Sequence, residues 1–164
     1  MEISELYEIY KKYPSVQTDT RKIKKGNIFF ALKGPNFNGN EFVQNAIEAG
    51  ASHAVIDEKK FEIPDKTILV DDVLTVLQQL ANHHRRQFNT AGGGIPFIAI
   101  TGSNGKTTTK ELIHAVLAST HITYTTEGNL NNHIGIPLTL LKIKEDAQMV
   151  VIEMGANHIG EIAS

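Results

Sequence analysis

The sequence predicts an α/β protein with a small N-terminal α/β domain followed by the start of a parallel-sheet domain that carries a phosphate-binding loop. Short apolar runs alternate with segments of helical periodicity along the chain, which favours parallel strands joined by helices. A glycine-containing turn separates the apolar run 97–100 from a helix-forming segment that begins near Lys106. Three consecutive glycines at 92–94 interrupt the pattern between the two parts.

The composition is that of a globular protein whose partners are small molecules. The 164 residues are 41% hydrophobic, and 16 basic side chains face 18 acidic ones, for a formal net charge of −2. This charge gives no broad attraction to nucleic acid or to an anionic membrane. The sequence contains no cysteine, which excludes disulfides and cysteine-ligated zinc. It also contains no apolar run of the length expected of a membrane-spanning helix. We therefore expect no nucleic-acid partner, no membrane insertion and a cytoplasmic location.

The N-terminal part reads as strands that alternate with helices. Its predicted helices are residues 3–12, 40–50 and 72–88, and its predicted strands or extended segments are 16–21, 27–32, 53–56 and 67–70. Turn-forming residues fill 34–40, which predicts a loop. Asn40 is predicted to cap the second helix with Phe42 on its inner face, and Asp71 or Asp72 to cap the third.

The glycine run is the best candidate for a domain boundary. It predicts a first domain over 1–90, a linker over 91–95 and a second domain from 96 to 164. Strands are expected at 97–100, 122–125 and 149–152, and helices after Lys106 and at 137–141. Because nucleotide-binding sheets usually have about five or six strands, we expect a truncated second domain, with the strand at Val151 unpaired on one side.

The turn after the first of these strands, residues 101–107, has the composition of a phosphate loop. Its small residues let backbone N–H groups converge on an anion, and the following helix points its positive end at the same place. Lys106 supplies a cation for terminal phosphates, and the Thr107 hydroxyl is placed for a Mg²⁺ ion. The predicted nucleotide-binding residues are Gly102, Ser103, Asn104, Gly105, Lys106, Thr107 and Thr108. The alternative is an ordinary strand, turn and helix with a surface lysine.

Glu153 ends the last predicted strand and is followed two residues later by Gly155. Since the carboxyl ends of parallel strands meet at one edge, Glu153 is expected beside Thr107, where both would contact Mg²⁺. The alternative is a solvated carboxylate at a strand end. The asparagine-rich loop 127–137 is expected at the same edge, although its asparagines are also typical of simple turns. His158, near Glu153, is the one histidine with a possible role at the site.

With these pieces assembled, the chain resembles the Mur ligases, ATP-dependent amino-acid-adding enzymes of peptidoglycan precursor synthesis. The shortened loop 101–107 matches that superfamily's variant of the phosphate loop. Three further stretches are similar to the members that add D-alanyl-D-alanine: Asp19-Thr20-Arg21 with 26–34, the run 128–141, and 153–162. The resemblance covers nearly the whole chain but about the first third of such an enzyme.

The resemblance implies that ATP, with Mg²⁺, activates the terminal carboxylate of UDP-MurNAc-tripeptide as an acyl phosphate, which the amine of D-Ala-D-Ala then attacks. It implies catalytic roles for Lys106 and Glu153, a metal site at Thr107 and Glu153, and substrate contacts at Thr20, Arg21, Thr126 and Asn129. A monomeric complete protein is expected, and an inactive isolated chain. The alternatives are another Mur-type or folylpolyglutamate-type ligase, or a non-catalytic module that binds a UDP-sugar or nucleotide.

Overall fold

A computed structural model describes residues 1–88 and 94–155 of the chain. The chain divides into two compact units, Met1–His83 and His84–Ser164. This division falls inside a helix and before the predicted linker. Residues 91–93 of that linker and His158 lie outside the described residues. The predicted domain bounds stay a prediction.

The first unit is built on a four-stranded parallel sheet with the strand order β1-β2-β5-β6. Its strands are β1 (Val16–Gln17), β2 (Ile28–Phe30), β3 (Lys33–Gly34), β4 (Phe37–Asn38), β5 (His53–Ile56) and β6 (Thr67–Leu69). Its helices are α1 (Ile3–Lys12), α2 (Val43–Glu48) and the part of α3 (Val73–Gln87) up to His83. Every residue of β2 is buried, as expected of a central strand covered on both faces.

Most predicted elements of this unit are confirmed, and local capping explains where α3 begins and where α2 ends. The Asp72 carboxylate accepts a hydrogen bond from the Thr75 N–H at 2.7 Å, so Asp72 is the N-cap of α3. Gly50 follows α2 with φ of +106°, a conformation that glycine adopts without strain.

The segment 34–42 differs from the prediction. In place of a loop, β3 and β4 pair as a small antiparallel hairpin. Asn38, rather than Asn40, caps the next turn by accepting the Asn40 N–H, and Asn40 is fully buried against Asp57. Phe42, predicted to face inward, is 44% exposed because the first turn is a 3₁₀ helix over Gly39–Phe42, which changes the side-chain period.

The second unit contains a three-stranded parallel sheet with the order β7-β9-β8. Its elements are β7 (Phe97–Ile100), α4 (Lys106–Ala118), β8 (Thr123–Thr125), α5 (Gly135–Leu140) and β9 (Met149–Glu153). Ile98 pairs in parallel with Val151, as predicted. The expectation that the strand at Val151 lacks a neighbour is wrong, because β9 is central and pairs with both other strands.

The inner face that helical spacing predicts for α4 is wrong for two of its four apolar residues, which are Leu112, Ile113, Val116 and Leu117. Leu112 is 65% exposed and Val116 is 70% exposed, whereas Ile113 and Leu117 are partly buried. The fully buried side chain of α4 is a lysine, Lys110. Helical spacing alone does not say which apolar residues the rest of the fold covers.

These burial differences predict contrasting effects of the same truncation. Leu77→Ala removes a fully buried side chain from α3 and is expected to cost about 2–5 kcal/mol of unfolding free energy. Leu112→Ala, on an exposed helix face, is expected to cost within about 0.5 kcal/mol. Urea unfolding followed by far-ultraviolet circular dichroism measures both. Equal losses would contradict the burial that the fold assigns to these two leucines.

Candidate functional site

The phosphate loop joins β7 to α4 with two glycines in conformations that other residues rarely adopt. Gly102 has φ of +145°, and Gly105 has φ of +76° and ψ of 1° at the N-cap of α4. The first N–H groups of a helix have no acceptor within it, so those of α4 are turned toward the loop. The local sequence therefore forms the glycine turn and helix start that its composition predicted, and the binding of an anion there stays a prediction.

Gly105→Ala is expected to destabilise the second unit by about 1–2 kcal/mol, because a left-handed backbone conformation is unfavourable for alanine. A Cβ atom there meets nothing within 4 Å, so the cost is conformational rather than steric. Gly105→Asn is the matched control and is expected to cost less, since asparagine enters this region more easily. Thermal unfolding compares the variants, and an unaffected alanine variant would contradict the positive φ.

The Lys106 ammonium lies across the mouth of the loop. Its Nζ atom donates to the Gly102 carbonyl at 2.7 Å. This contact places a positive charge next to the turn that is shaped for phosphate. The side chain is only partly buried and is held by backbone carbonyls of the loop itself.

Glu153 is the centre of a polar cluster at the carboxyl end of the sheet. The Thr107 hydroxyl donates to Glu153 Oε2 at 2.9 Å, and Asn131 Nδ2 donates to Glu153 Oε1 at 2.8 Å. Glu153 pairs in register with Ile100, the last residue before the loop. The predicted meeting of Thr107 and Glu153 at one edge is confirmed. The alternative of a solvated carboxylate is excluded, because Glu153 is 2% exposed.

The donor set of this cluster suits magnesium. A threonine hydroxyl and a carboxylate are hard oxygen ligands, which Mg²⁺ prefers, and Mg²⁺ commonly takes only one or two protein ligands beside phosphate oxygens and water. In the described ranges, no group of three or more histidine, cysteine, aspartate or glutamate side chains is arranged to hold a metal. Thr107 and Glu153 therefore fit a metal shared with a nucleotide rather than one caged by protein.

The other residues predicted at this edge lie close to Glu153 but differ in exposure. Thr126 is fully buried, and its hydroxyl accepts the Glu153 backbone N–H at 2.9 Å. Asn129 is exposed in the loop after β8, where its carbonyl accepts the Asn131 N–H at 2.8 Å. The structure thus gives Thr126 a supporting contact, and the substrate contacts implied for both residues stay predictions.

Two members of the cluster were missed by sequence reasoning. Asn131 was seen only as one asparagine of a turn-rich loop, yet it holds one oxygen of Glu153. Lys110 follows Thr107 by one helical turn and is 1% exposed, with Nζ 2.6 Å from the Thr126 carbonyl. The spacing from Thr107 to Lys110 was a usable signal, because residues three apart share a helix face.

Thr20 and Arg21 lie in the first unit, in a 3₁₀ helix over Thr20–Lys22 rather than in the predicted extended segment. Asp19 caps this turn by accepting the Arg21 N–H. The Arg21 guanidinium forms a two-bond pair with the Asp19 carboxylate, at 2.9 and 2.8 Å. These hydrogen bonds lower the pKa of Asp19 to about 2, so the pair persists until the pH falls through that value. The capped turn orients an exposed arginine fork of the kind that binds phosphate.

Comparison with known proteins agrees with this geometry. The model of the Mur ligase family catalytic domain matches residues 12–85, and that of the Mur ligase middle domain matches residues 100–164. This chain belongs to the Mur ligase family. The resemblance drawn from the phosphate loop and its flanking stretches is confirmed.

Two curated relatives carry the name UDP-N-acetylmuramoyl-tripeptide–D-alanyl-D-alanine ligase. The Bacillus subtilis protein is 46% identical over 149 residues, which cover 90% of this chain and 32% of the relative. The Escherichia coli protein is 40% identical over 149 residues, which cover 91% of this chain and 32% of the relative. The chain therefore spans about a third of the length of these relatives.

Solved structures of the same family share the fold. MurF from Acinetobacter baumannii aligns with a TM-score of 0.80 at 38% identity, over 90% of this chain and 32% of that one. The MurF ligase from Thermotoga maritima in complex with ADP aligns with a TM-score of 0.78 at 31% identity, over 91% of this chain and 34% of that one. No helix in the described part of the chain has the length and hydrophobicity needed to cross a membrane.

Proposed function

We propose that this chain is the nucleotide-binding and UDP-substrate-binding portion of an ATP-dependent ligase that adds D-Ala-D-Ala to UDP-MurNAc-tripeptide. The complete protein would act as a cytoplasmic monomer in peptidoglycan precursor synthesis, and so in cell shape and division. The proposal rests on relatives that carry this ligase name, among them two that are 46% and 40% identical across most of the chain. The observation that carries the chemistry is the contact of Thr107 with the buried Glu153 beside the phosphate loop.

In the proposed reaction the loop holds ATP by its phosphates. Backbone N–H groups of residues 102–108 and the N-terminus of α4 bind the phosphate oxygens, and Lys106 neutralises charge on the transferring phosphoryl group. Thr107 and Glu153 would hold Mg²⁺, which supplies further charge neutralisation on the phosphates when bound. An ADP complex of a relative with the same fold supports a nucleotide at this loop.

Each unit contains residues that we propose as substrate contacts. Arg21 offers its guanidinium to a diphosphate, with Asp19 orienting the fork and Thr20 beside it. Asn129 is exposed at the same edge as Glu153, where a peptide carboxylate must approach the γ-phosphate. Thr126 is fully buried, and its N–H, carbonyl and hydroxyl are all hydrogen-bonded within the protein, so its proposed part in substrate binding is to support the loop that carries Asn129.

The direct test is ligase turnover by the complete protein. Purified enzyme is supplied with ATP, Mg²⁺, UDP-MurNAc-tripeptide and D-Ala-D-Ala, and both phosphate release and the UDP-MurNAc-pentapeptide product are measured. We expect phosphate and product in equal amounts, with neither formed when any one substrate is omitted.

Substrate exchange separates the proposal from the sibling ligases. Replacing D-Ala-D-Ala by single amino acids, or the tripeptide substrate by shorter UDP-MurNAc-peptides, is expected to abolish turnover. Preferred use of a single amino acid, or of a folate substrate, would contradict the assigned substrates. Nucleotide binding without any ligation would indicate a binding module instead.

A further inference from the structure

We infer that Lys110 is a positioning residue of the candidate metal site, acting through Thr126 to hold Glu153 against Thr107. This inference rests on the proposed function, because it concerns the same nucleotide site. Lys110 is a buried cation that was not among the site residues predicted from the sequence. The role follows from a continuous set of hydrogen bonds between α4, the end of β8 and the end of β9.

The first link joins α4 to the end of β8. Lys110 Nζ lies 2.6 Å from the Thr126 carbonyl oxygen and 2.8 Å from Glu111 Oε1. Lys110 is 1% exposed, whereas the Glu111 side chain is 60% exposed. Burying an ammonium group is costly unless it is paired and hydrogen-bonded, so a lysine here is a poor choice for packing alone. Its short contact with a strand-end carbonyl indicates that it fixes that strand end.

The second link joins Thr126 to Glu153. The Thr126 hydroxyl accepts the Glu153 N–H at 2.9 Å, and the Thr126 N–H donates to the Val151 carbonyl at 3.2 Å. Thr126 is thus held by Lys110 on one side and holds the backbone of β9 on the other. A shift of Thr126 moves the backbone from which the Glu153 carboxylate extends.

The third link returns to α4. Glu153 Oε2 accepts the Thr107 hydroxyl, and Thr107 lies one helical turn before Lys110. These hydrogen bonds therefore begin and end on the same helix, and they include both proposed metal ligands, Thr107 and Glu153. Such partners behind the ligands orient them, and their loss typically weakens metal affinity or activity by about 10–100-fold.

The test uses Lys110→Met, which keeps most of the side-chain volume and removes the charge. Fluorescent ADP is titrated into the complete protein at several Mg²⁺ concentrations and also with EDTA. We expect the Mg²⁺ concentration for half-maximal enhancement of ADP binding to rise about tenfold. Binding in EDTA is expected to stay within about twofold of wild type, since the phosphate loop itself is unchanged.

Variants of Thr126 test the route of the effect. Thr126→Val removes the hydroxyl that accepts the Glu153 N–H and is expected to raise the Mg²⁺ requirement for ADP binding by a similar factor. Thr126→Ser keeps a hydroxyl at this position and is expected to have the Mg²⁺ requirement of wild type. The double variant Lys110→Met, Thr126→Val is expected to need no more Mg²⁺ for ADP binding than the more impaired single variant, because the two residues act in series. If Lys110→Met does not fold, Thr126→Val and its serine rescue carry the same test.

Glu111→Gln is the matched control, because it removes the exposed partner of Lys110 and leaves the Thr126 contact in place. Its Mg²⁺ requirement is expected to stay within about twofold of wild type. The inference is overturned if Lys110→Met binds ADP with an unchanged Mg²⁺ requirement, or if it loses affinity equally with and without Mg²⁺. Failure of wild-type protein to bind ADP at all would instead refute the proposed function.

Discussion

Replacing Lys106 with alanine is expected to lower kcat/KM of the complete ligase for ATP by about 10²–10³-fold, the usual effect of removing one preorganised electrostatic group. The ammonium lies at the mouth of the phosphate loop, 2.7 Å from the Gly102 carbonyl, where charge on the γ-phosphoryl group would develop. Its contacts are with the loop itself, so the substitution should leave folding intact. Initial rates of phosphate release at varied ATP measure the loss, and thermal unfolding verifies the fold.

Lys144→Ala is the control for the Lys106 experiment. Lys144 is an exposed lysine of the second unit outside the phosphate loop, and its loss removes the same formal charge. We expect its activity to stay within about twofold of wild type. Activity of the Lys106 variant within tenfold of wild type would show that the loop does not act on the transferring phosphoryl group as proposed.

Replacing Glu153 with glutamine is expected to lower the ligation rate by about 100-fold and to raise the Mg²⁺ requirement by about tenfold or more. The carboxylate accepts hydrogen bonds from both Thr107 and Asn131, one on each oxygen. A glutamine amide offers one acceptor and one donor group, so one of these two donors must face an NH₂ group. Loss of the negative charge also removes the proposed metal ligand. Rates measured across a Mg²⁺ titration report both changes.

Glu127→Gln is the matched control for Glu153. Both glutamates lie at the carboxyl end of a strand, Glu127 after β8 and Glu153 in β9. Glu127, however, is exposed and paired with Lys142. We expect nearly wild-type rates and Mg²⁺ dependence, since exposed ion pairs contribute little. The assignment of Glu153 is refuted if its glutamine variant turns over within threefold of wild type, or if both variants are impaired alike.

The position of the phosphate loop was predictable because its signal is local. An apolar strand, a turn with Gly102 and Gly105, and a helix starting at Lys106 are properties of adjacent residues, and each was found where the sequence placed it. The parallel pairing of the strands at Ile98 and Val151 was also predictable, since strands joined through helices favour one direction. The family resemblance rested on these same local motifs.

The Lys110 and Asn131 contacts required the tertiary structure. The residues next to Lys110 in the sequence do not indicate that the Thr126 carbonyl, at the end of β8, lies 2.6 Å from its amine. The exposure of Leu112 and Val116 similarly depends on which surfaces cover α4, and their helical spacing does not specify that. Periodicity describes one element, whereas burial is decided by the elements around it.

The sequence by itself thus determined the type of chemistry, a phosphate loop with a lysine, a threonine and a strand-end glutamate, because residue type and local backbone conformation are encoded within a few positions. Only the tertiary structure decided how these groups meet. The order β7-β9-β8 places Glu153 beside the loop, although Glu153 and Thr107 are 46 residues apart in the chain. Strand order and burial arise from non-local packing, in which each strand takes the neighbours that the whole sheet makes available.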